Sequence, residues 1–568
     1  MLARLLLELA HRGPDGTGHA VVGRIALAQN RLAIIDIKTG DQPLFAGSAT
    51  LIANAEIYNY RELRTEFPQA VFATESDCEP PLHLFLRDGA DYAQALRGMF
   101  AIAIHDRTAR TVTLSRDPFG IKPLYVAQTA NGLAFASEPE ALLAAGLAER
   151  RLRTAARDEL LQMQFTTGAE TIFAGISRVL PGETLTCADG HVVDTRRTAA
   201  LPAGGPEEIG EAAALERLDR ALEQSVLLHQ RSDVPYGMFL SGGVDSSALL
   251  ALMARLNSAP VLAFTAGWDI PGVADERAHA AVVARAAGAQ HEPVEITEAM
   301  VWRHLPEIVA CMDDPAADYA IIPTWFLARR ARQDVKVVLC GEGGDEMFGG
   351  YGRYRKVMRS WWLGGRVMRA RGMFDRVDVL RRRPTDWRDG FAAAEQQAAE
   401  GGRSRLAAAQ AADMADWLPH DLLLKLDRCL MAHAVEGRTP FLDPGVAAAA
   451  FRLPDALKLR QGMGKWLLRR WLQLHLPEAQ PFAAKRGFTV PIGAWIKGQG
   501  ARLGPLVAAQ EGVAEIADAV KVEKLFRSIG RGREGMAAWM LLFYALWHRR
   551  HIEGVLREGD VFETLAQR

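Results

Sequence analysis

Ser241-Gly242-Gly243-Val244-Asp245-Ser246-Ser247 carries the residue types of a phosphate grip: two glycines, three hydroxyls and a carboxylate within one short stretch. Before it, Tyr236 to Leu240 is short, apolar and partly aromatic, as a buried strand should be. After it, Ala248 to Leu256 repeats strong helix formers without a breaker. In such a strand-loop-helix unit Gly242 and Gly243 can take positive φ and let backbone approach a ligand, while Ser246 and Ser247 can cap the helix and leave its first amides facing an anion. Ser-Gly-Gly alone is a common turn. No Gly-x-x-x-x-Gly-Lys occurs and Gly-x-Gly-x-x-Gly is out of register, which excludes a Walker loop and a dinucleotide fingerprint.

The elements around this loop alternate. A helix over 209–229 precedes it, and a strand at 261–265, a helix at 275–287 and a strand near 291–296 follow. That order predicts a parallel, doubly wound sheet. A further β-branched strand, 335–340, runs into Gly341-Glu342-Gly343-Gly344-Asp345-Glu346-Met347-Phe348-Gly349-Gly350-Tyr351. Ligands of such sheets lie beyond the carboxyl ends of the strands, so both loops are placed to face one pocket. The remainder of the chain is mostly helical. The first part reads differently: short strands at 24–28, 51–53, 99–105, 111–115, 124–127 and 133–137, with helices at 60–66 and 81–88, predict a layered α+β domain. Pro202-Ala203-Gly204-Gly205-Pro206 marks a linker over 198–208, between a first domain of 1–197 and a second of 209–560.

Composition narrows the function classes. Lysine plus arginine (67) balances aspartate plus glutamate (68), which removes any field-based argument for nucleic acid or an anionic membrane as partner. Five scattered cysteines without Cys-x-x-Cys spacing suggest neither zinc nor a disulfide framework and fit a reducing cytoplasm. Residues 1–10 are apolar but too short to span a bilayer and read as an amphipathic core helix, and no later run is long enough. Small-molecule partners are expected.

The two loops, with Leu423-Leu424-Lys425-Leu426-Asp427-Arg428, Glu436-Gly437-Arg438-Thr439-Pro440-Phe441-Leu442-Asp443 and Lys485-Arg486-Gly487-Phe488, resemble the glutamine-dependent asparagine synthetase family over nearly the whole chain. The resemblance implies an ATP-pyrophosphatase-type α/β domain that joins a carboxylate to ATP, releases pyrophosphate and leaves an acyl-adenylate for ammonia to attack. It assigns ATP and pyrophosphate to Ser241, Gly242, Gly243, Asp245, Ser246, Ser247, Phe264 and Gly341. Mg2+ falls to Asp245 and Asp345, transition-state charge to Lys485, and the proton of attacking ammonia to Glu342. Glu436, Arg438 and Asp443 read as a structural ion-pair network.

In the first domain, His11-Arg12-Gly13-Pro14-Asp15, Asn30-Arg31-Leu32-Ala33-Ile34-Ile35-Asp36, Asn54-Ala55-Glu56-Ile57-Tyr58-Asn59, Ser76-Asp77-Cys78-Glu79 and Ser115-Arg116-Asp117-Pro118-Phe119-Gly120 resemble the class II glutaminase domain, an N-terminal-nucleophile (αββα) fold. The resemblance pairs glutamine's carboxylate with Arg31 and its amino group with Glu56 and Asp77, and gives the oxyanion to Asn54 and the amide of Ala55. Two departures stand out. The family's nucleophile is an N-terminal cysteine, whereas this sequence opens Met1-Leu2-Ala3, and Ala55 stands where glycine is usual. Cys78, inside a loop, lacks the α-amino group that serves as base. For the sequence as written, the expectation is that glutamine hydrolysis is lost and that the start codon is placed downstream of a missing strand.

The expected reaction is aspartate to asparagine through a β-aspartyl-adenylate, with glutamine or free ammonia as nitrogen source. An alternative keeps the scaffold for another carboxylate, as in relatives resembling β-lactam synthetase or amidotransferases acting on peptides and polysaccharides; a third reading is a non-catalytic scaffold. A homodimer is compatible with all three.

Overall fold

The computed structural model describes residues 1–268, 275–483, 490–530, 533–555 and 559–567. The first half is α+β, as expected. Its strands are β1 (Gly16–Val22), β2 (Ile25–Arg31), β3 (Leu44–Ala46), β4 (Ala49–Ile57), β5 (Gly98–Asp106), β6 (Thr111–Arg116), β7 (Tyr125–Thr129), β8 (Gly132–Ala136), β9 (Ile176–Arg178), β10 (Glu183–Ala188) and β11 (His191–Arg197). Six form an antiparallel sheet ordered β11-β10-β6-β5-β4-β3, while β8-β7-β9 and the β1-β2 hairpin stand apart. β4 and β5 are longer than their apolar runs because β4 continues through Asn54, Ala55 and Glu56, polar and small positions that the ladder with Met99, Phe100 and Ala101 holds extended.

The second half is built on a parallel sheet of β12 (Tyr236–Phe239), β13 (Leu262–Gly267), β14 (Gln290–Glu295), β15 (Val337–Leu339) and β16 (Glu436–Arg438), ordered β14-β13-β12-β15-β16. The chain winds outward from β12 to β14 and returns to the other side of β12 at β15. The switch point therefore lies between β12 and β15, from whose carboxyl ends the two glycine-rich loops leave. β15 is buried throughout, because helices cover both faces of the sheet. Helices dominate after β15; among them Arg533–His551 is buried at every residue from Ala537 to Arg549, and a last helix, Val561–Ala566, follows it.

Two expectations change. The helix Leu2–Glu8 is only partly buried: no residue of it is fully buried and Leu7 is 71% exposed, while Leu5 packs against a main apolar cluster and Leu2, Leu5 and Leu6 also border a cavity, so it flanks the core and does not lie within it. The interdomain residues 198–210 hold neither helix nor strand, yet the halves are not loosely tethered, since both main apolar clusters draw side chains from each half. Buried ion pairs reinforce that seam. Arg12 donates to Asp427 through both terminal nitrogens (2.8 and 2.9 Å) and to Glu138 (2.7 Å), and Arg178 donates to both oxygens of Asp314 (2.7 Å each). No described helix is long and apolar enough to cross a membrane.

Candidate active site

The Ser241–Ser247 turn is tighter than its composition suggests. Gly242 takes φ +69°, but Gly243 stays extended at φ −72° and is itself the cap of the helix Val244–Leu256, which makes no side-chain cap hydrogen bond. Asp245, Ser246 and Ser247 thus belong to the first helical turn, and the expected serine capping is not what forms. Ser246 Oγ instead accepts from the Ser241 amide (3.2 Å), donates to the Gly243 carbonyl (3.2 Å) and lies 3.1 Å from Ser241 Oγ, bracing the loop from within. Ser247 Oγ is buried with no hydrogen-bond partner among the described residues.

Opposite this turn stands the loop that follows β15. Asp245 and Asp345, one from each loop, converge on the ammonium of Lys465: Nζ contacts Asp245 Oδ2 and lies 2.7 Å from Asp345 Oδ1. The approach is so close that a Cβ on Gly350 would stand 1.8 Å from Asp345 Oδ1 and 2.2 Å from Lys465 Cε, so only glycine fits. Burial opposes the Lys465 charge, and the two carboxylates outweigh it and raise its pKa. Lys465 begins the helix Trp466–His475 from a left-handed conformation, φ +58°. Sequence reasoning missed it. Its signal was Gly462-Met463-Gly464-Lys465 ahead of an amphipathic helix, a turn that aims one lysine back at the sheet. Lys485, given that electrostatic role by resemblance, lies outside the described residues.

Glu342, next in the second loop, is pushed up from the ordinary carboxylate range by burial, with the charge of Lys425 opposing the rise. Lys425 is itself buried and pairs with Asp318 (3.4 Å). The Phe264 ring is fully buried in the core, so a ligand at the end of β13 would meet its backbone and not its side chain. Thr265 beside it donates to the Leu240 carbonyl (2.6 Å) and ties β13 to the start of the serine loop.

The other predicted group lies apart from this site. Arg31, Asn54, Ala55, Glu56 and Asp77 all line one cavity of about 760 Å3 in the first half, together with Cys78. The Asn54 amide nitrogen and one Glu56 oxygen are buried there without hydrogen-bond partners among the described residues. Arg31 already donates to the carbonyls of Ile35 (3.1 Å) and Asp36 (2.5 Å) and to exposed Asp41 (2.9 Å). Burial raises Glu56 well above its usual range against the pull of Arg438, and raises Asp77 to about 6 against a hydrogen bond from the Ile57 amide. The Cys78 thiol is likewise pushed well up by burial and by Asp77, so it is not a thiolate at neutral pH. The expected ion-pair network closes the floor between the halves: Arg438 meets Glu56 and Glu436 (2.9 Å each), Lys122 meets Glu436 (3.3 Å), and Asp443 binds Arg97 (2.7 Å).

Residues 217–549 match the asparagine synthase family, and residues 1–197 match the glutamine amidotransferase domain. The chain belongs to the asparagine synthase family. Its relatives include a protein provisionally named a glutamine-hydrolyzing asparagine synthetase in Mycobacterium tuberculosis (strain ATCC 25618 / H37Rv), 35% identical over 97% of this chain and 94% of that one. Asparagine synthetase (glutamine-hydrolyzing) 1 of Bacillus subtilis (strain 168) is 31% identical over 96% and 93%, and asparagine synthetase B of Escherichia coli (strain K12) is 28% identical over 87% and 80%. Family membership accounts for the two-part architecture, a glutamine amidotransferase domain followed by a parallel-sheet domain with a helical C-terminal region.

Proposed function

We propose that the chain forms the side-chain amide of aspartate at the expense of ATP, with ammonia supplied free or from glutamine. The observation that carries this reading is the convergence of Asp245 and Asp345 on Lys465 at the switch point between β12 and β15. The two carboxylates already gather around one cation. With no cluster of three ligating side chains among the described residues, they suit a divalent ion that completes its shell with substrate phosphates. Asp245 and Asp345 would hold Mg2+, which when bound would neutralise charge on the triphosphate.

The remaining roles fall to the chain's own groups. Ser241, Gly242, Gly243, Ser246, Ser247 and Gly341 cradle the pyrophosphate portion, and Lys465 holds phosphate charge from the opposite wall, with Lys485 as a second cation by resemblance. The aspartate carboxylate attacks the α-phosphorus; the bond to the β-phosphate oxygen breaks, and pyrophosphate leaves. Ammonia then attacks the acyl carbon, AMP departs, and Glu342 receives the proton, a task suited to a carboxylate whose burial raises its basicity. In the first half, Arg31, Asn54, Ala55, Glu56 and Asp77 would hold glutamine.

The test is pyrophosphate release by the full chain with ATP, Mg2+, ammonium and aspartate, together with asparagine formation. Absence of both with aspartate, alongside release with another carboxylic acid, would assign a different acceptor. Glu342→Gln is expected to slow amide formation about 100-fold while slowing pyrophosphate release less than about tenfold. Equal losses in the two steps would remove Glu342 from its role.

A further inference from the structure

The balanced charge of the whole chain hides one strongly uneven stretch. From Gly352 to Phe374 there are seven lysines and arginines and no aspartate or glutamate, and Arg381-Arg382-Arg383 follows soon after. In a chain of net charge −1 such segregation makes a local positive field that the totals do not report. The same stretch carries Trp361-Trp362-Leu363, an apolar run with no place in the reaction site described above.

The fold turns the cations outward. Met368, Phe374, Val377 and Val379 are buried, whereas Lys356, Arg359, Arg366 and Arg371 are exposed. Arg353 is spent on Asp413 (2.8 Å), and Arg371 lies 3.7 Å from Asp375. Lys356, Arg359 and Arg366 make no side-chain hydrogen bond or ion pair among the described residues. Apolar side chains stand out beside them: Trp362 is 69% exposed, Leu363 64% and Val367 61%. Single exposed apolar residues are ordinary, but three within six positions, one of them tryptophan, form a patch of the kind that marks an interaction surface.

Backbone bonds gather these residues into one loop. After the helix Gly352–Met358 comes the turn Trp361–Leu363, where the Leu363 and Gly365 amides both donate to the Ser360 carbonyl (2.9 and 3.0 Å). The Arg366 amide then returns to the Lys356 carbonyl (3.4 Å). Lys356, Arg359 and Arg366 therefore flank Trp362 and Leu363 at the closed base of the loop. The closure needs glycine, since a Cβ on Gly365 would stand 2.1 Å from the Arg359 carbonyl oxygen. Beyond the loop, Met368 is anchored by Arg388 on its carbonyl (2.8 and 3.1 Å) and Glu395 on its amide (3.3 Å).

We propose that the loop 356–367 docks the protein peripherally on an anionic lipid surface. Trp362, Leu363 and Val367 enter the boundary between headgroups and acyl chains, and Lys356, Arg359 and Arg366 pair with lipid phosphates. Tryptophan favours that boundary, and an apolar wedge with a basic collar supplies the two signals that stable peripheral attachment takes. Nucleic acid would use the same cations, but Leu363 and Val367 offer no face on which a base stacks. No described helix is long and apolar enough to cross a membrane, so the attachment is superficial. The inference is independent of the amide-forming reading.

The full chain is tested by co-sedimentation with vesicles of phosphatidylcholine alone and of phosphatidylcholine mixed with phosphatidylglycerol. Binding to the mixed vesicles, weakened by salt, is expected, with binding to the neutral ones at least about tenfold weaker. Arg359→Gln with Arg366→Gln should lower the affinity about 25-fold, at about fivefold per cation. Trp362→Ala with Leu363→Ala should lower it about tenfold or more while leaving the thermal midpoint of unfolding unchanged. Absence of binding to the mixed vesicles, or equal binding to both kinds, overturns the inference. So does vesicle binding that the Trp362→Ala, Leu363→Ala variant retains, since the cations alone then account for it. Tighter binding to duplex DNA than to the mixed vesicles would give the surface to nucleic acid, and self-association abolished by the same variant without vesicle binding would give it to a second copy. Should a double variant fail to fold, Trp362→Ala alone and quenching of wild-type tryptophan fluorescence by brominated lipid carry the same two outcomes.

Discussion

The two candidate sites handle buried carboxylates in opposite ways. At the switch point, Asp245 and Asp345 face the internal ammonium of Lys465, whose own pKa the two carboxylates raise against burial. In the first-half cavity, Glu56 and Asp77 are raised by burial, and the charge that reaches Glu56 comes from Arg438 of the other half. The first site is self-contained. The second depends on the domain seam, so damage to the seam should injure the cavity before it injures the switch point.

Lys465→Met should break the comparison most severely, by leaving two carboxylates uncompensated and removing a phosphate contact. Pyrophosphate release is expected to fall about 100- to 1000-fold. A loss below about tenfold would show that the ammonium is only a placeholder. Arg438→Met leaves Glu56 and Glu436 buried without their shared cation and should cost about 3–5 kcal/mol in chemical denaturation. Ammonia-dependent turnover of the remaining folded protein should be kept.

Asp77 sharpens the contrast through pH. Its folded carboxyl keeps a proton up to about pH 6, whereas unfolded aspartate releases it near 3.8. The folded state therefore holds the extra proton between these values, and stability falls as pH rises through that window. The loss, about 3 kcal/mol, is complete above the folded pKa. Asp77→Asn, which still offers an oxygen to the Ile57 amide, should be more stable than wild type at about pH 7.5 and equal to it at about pH 4. An unchanged difference between the two pH values would disprove the assignment. Cys78→Ala should have the smallest effect, less than about twofold on ammonia-dependent synthesis, because its thiol is neutral and remote from the switch point.

Sequence legibility followed locality. The serine loop, the acidic loop and the β13 strand end each lie within a dozen residues, so a strand, a turn and a helix start could be read together, and the doubly wound sheet followed from their alternation. What that reading misjudged was fine placement. Ser246 braces the loop instead of capping the helix, because Gly243 already occupies the cap, and the Phe264 ring turns into the core. The leucine-rich start flanks the core without being buried in it, because periodicity reports an apolar face and not how completely another surface covers it.

The sequence by itself determined the family, the two-part order, the parallel sheet and the loops at its carboxyl edge, since each is encoded in contiguous residues. Only the tertiary structure decided which charges meet. Lys465 lies 220 residues from the Asp245 it pairs with, Arg438 reaches back to Glu56 across the seam, and Arg369 finds Trp417 from a strained turn. Electrostatic partnership depends on distance in space and on exclusion of water, and neither is set until the chain has packed.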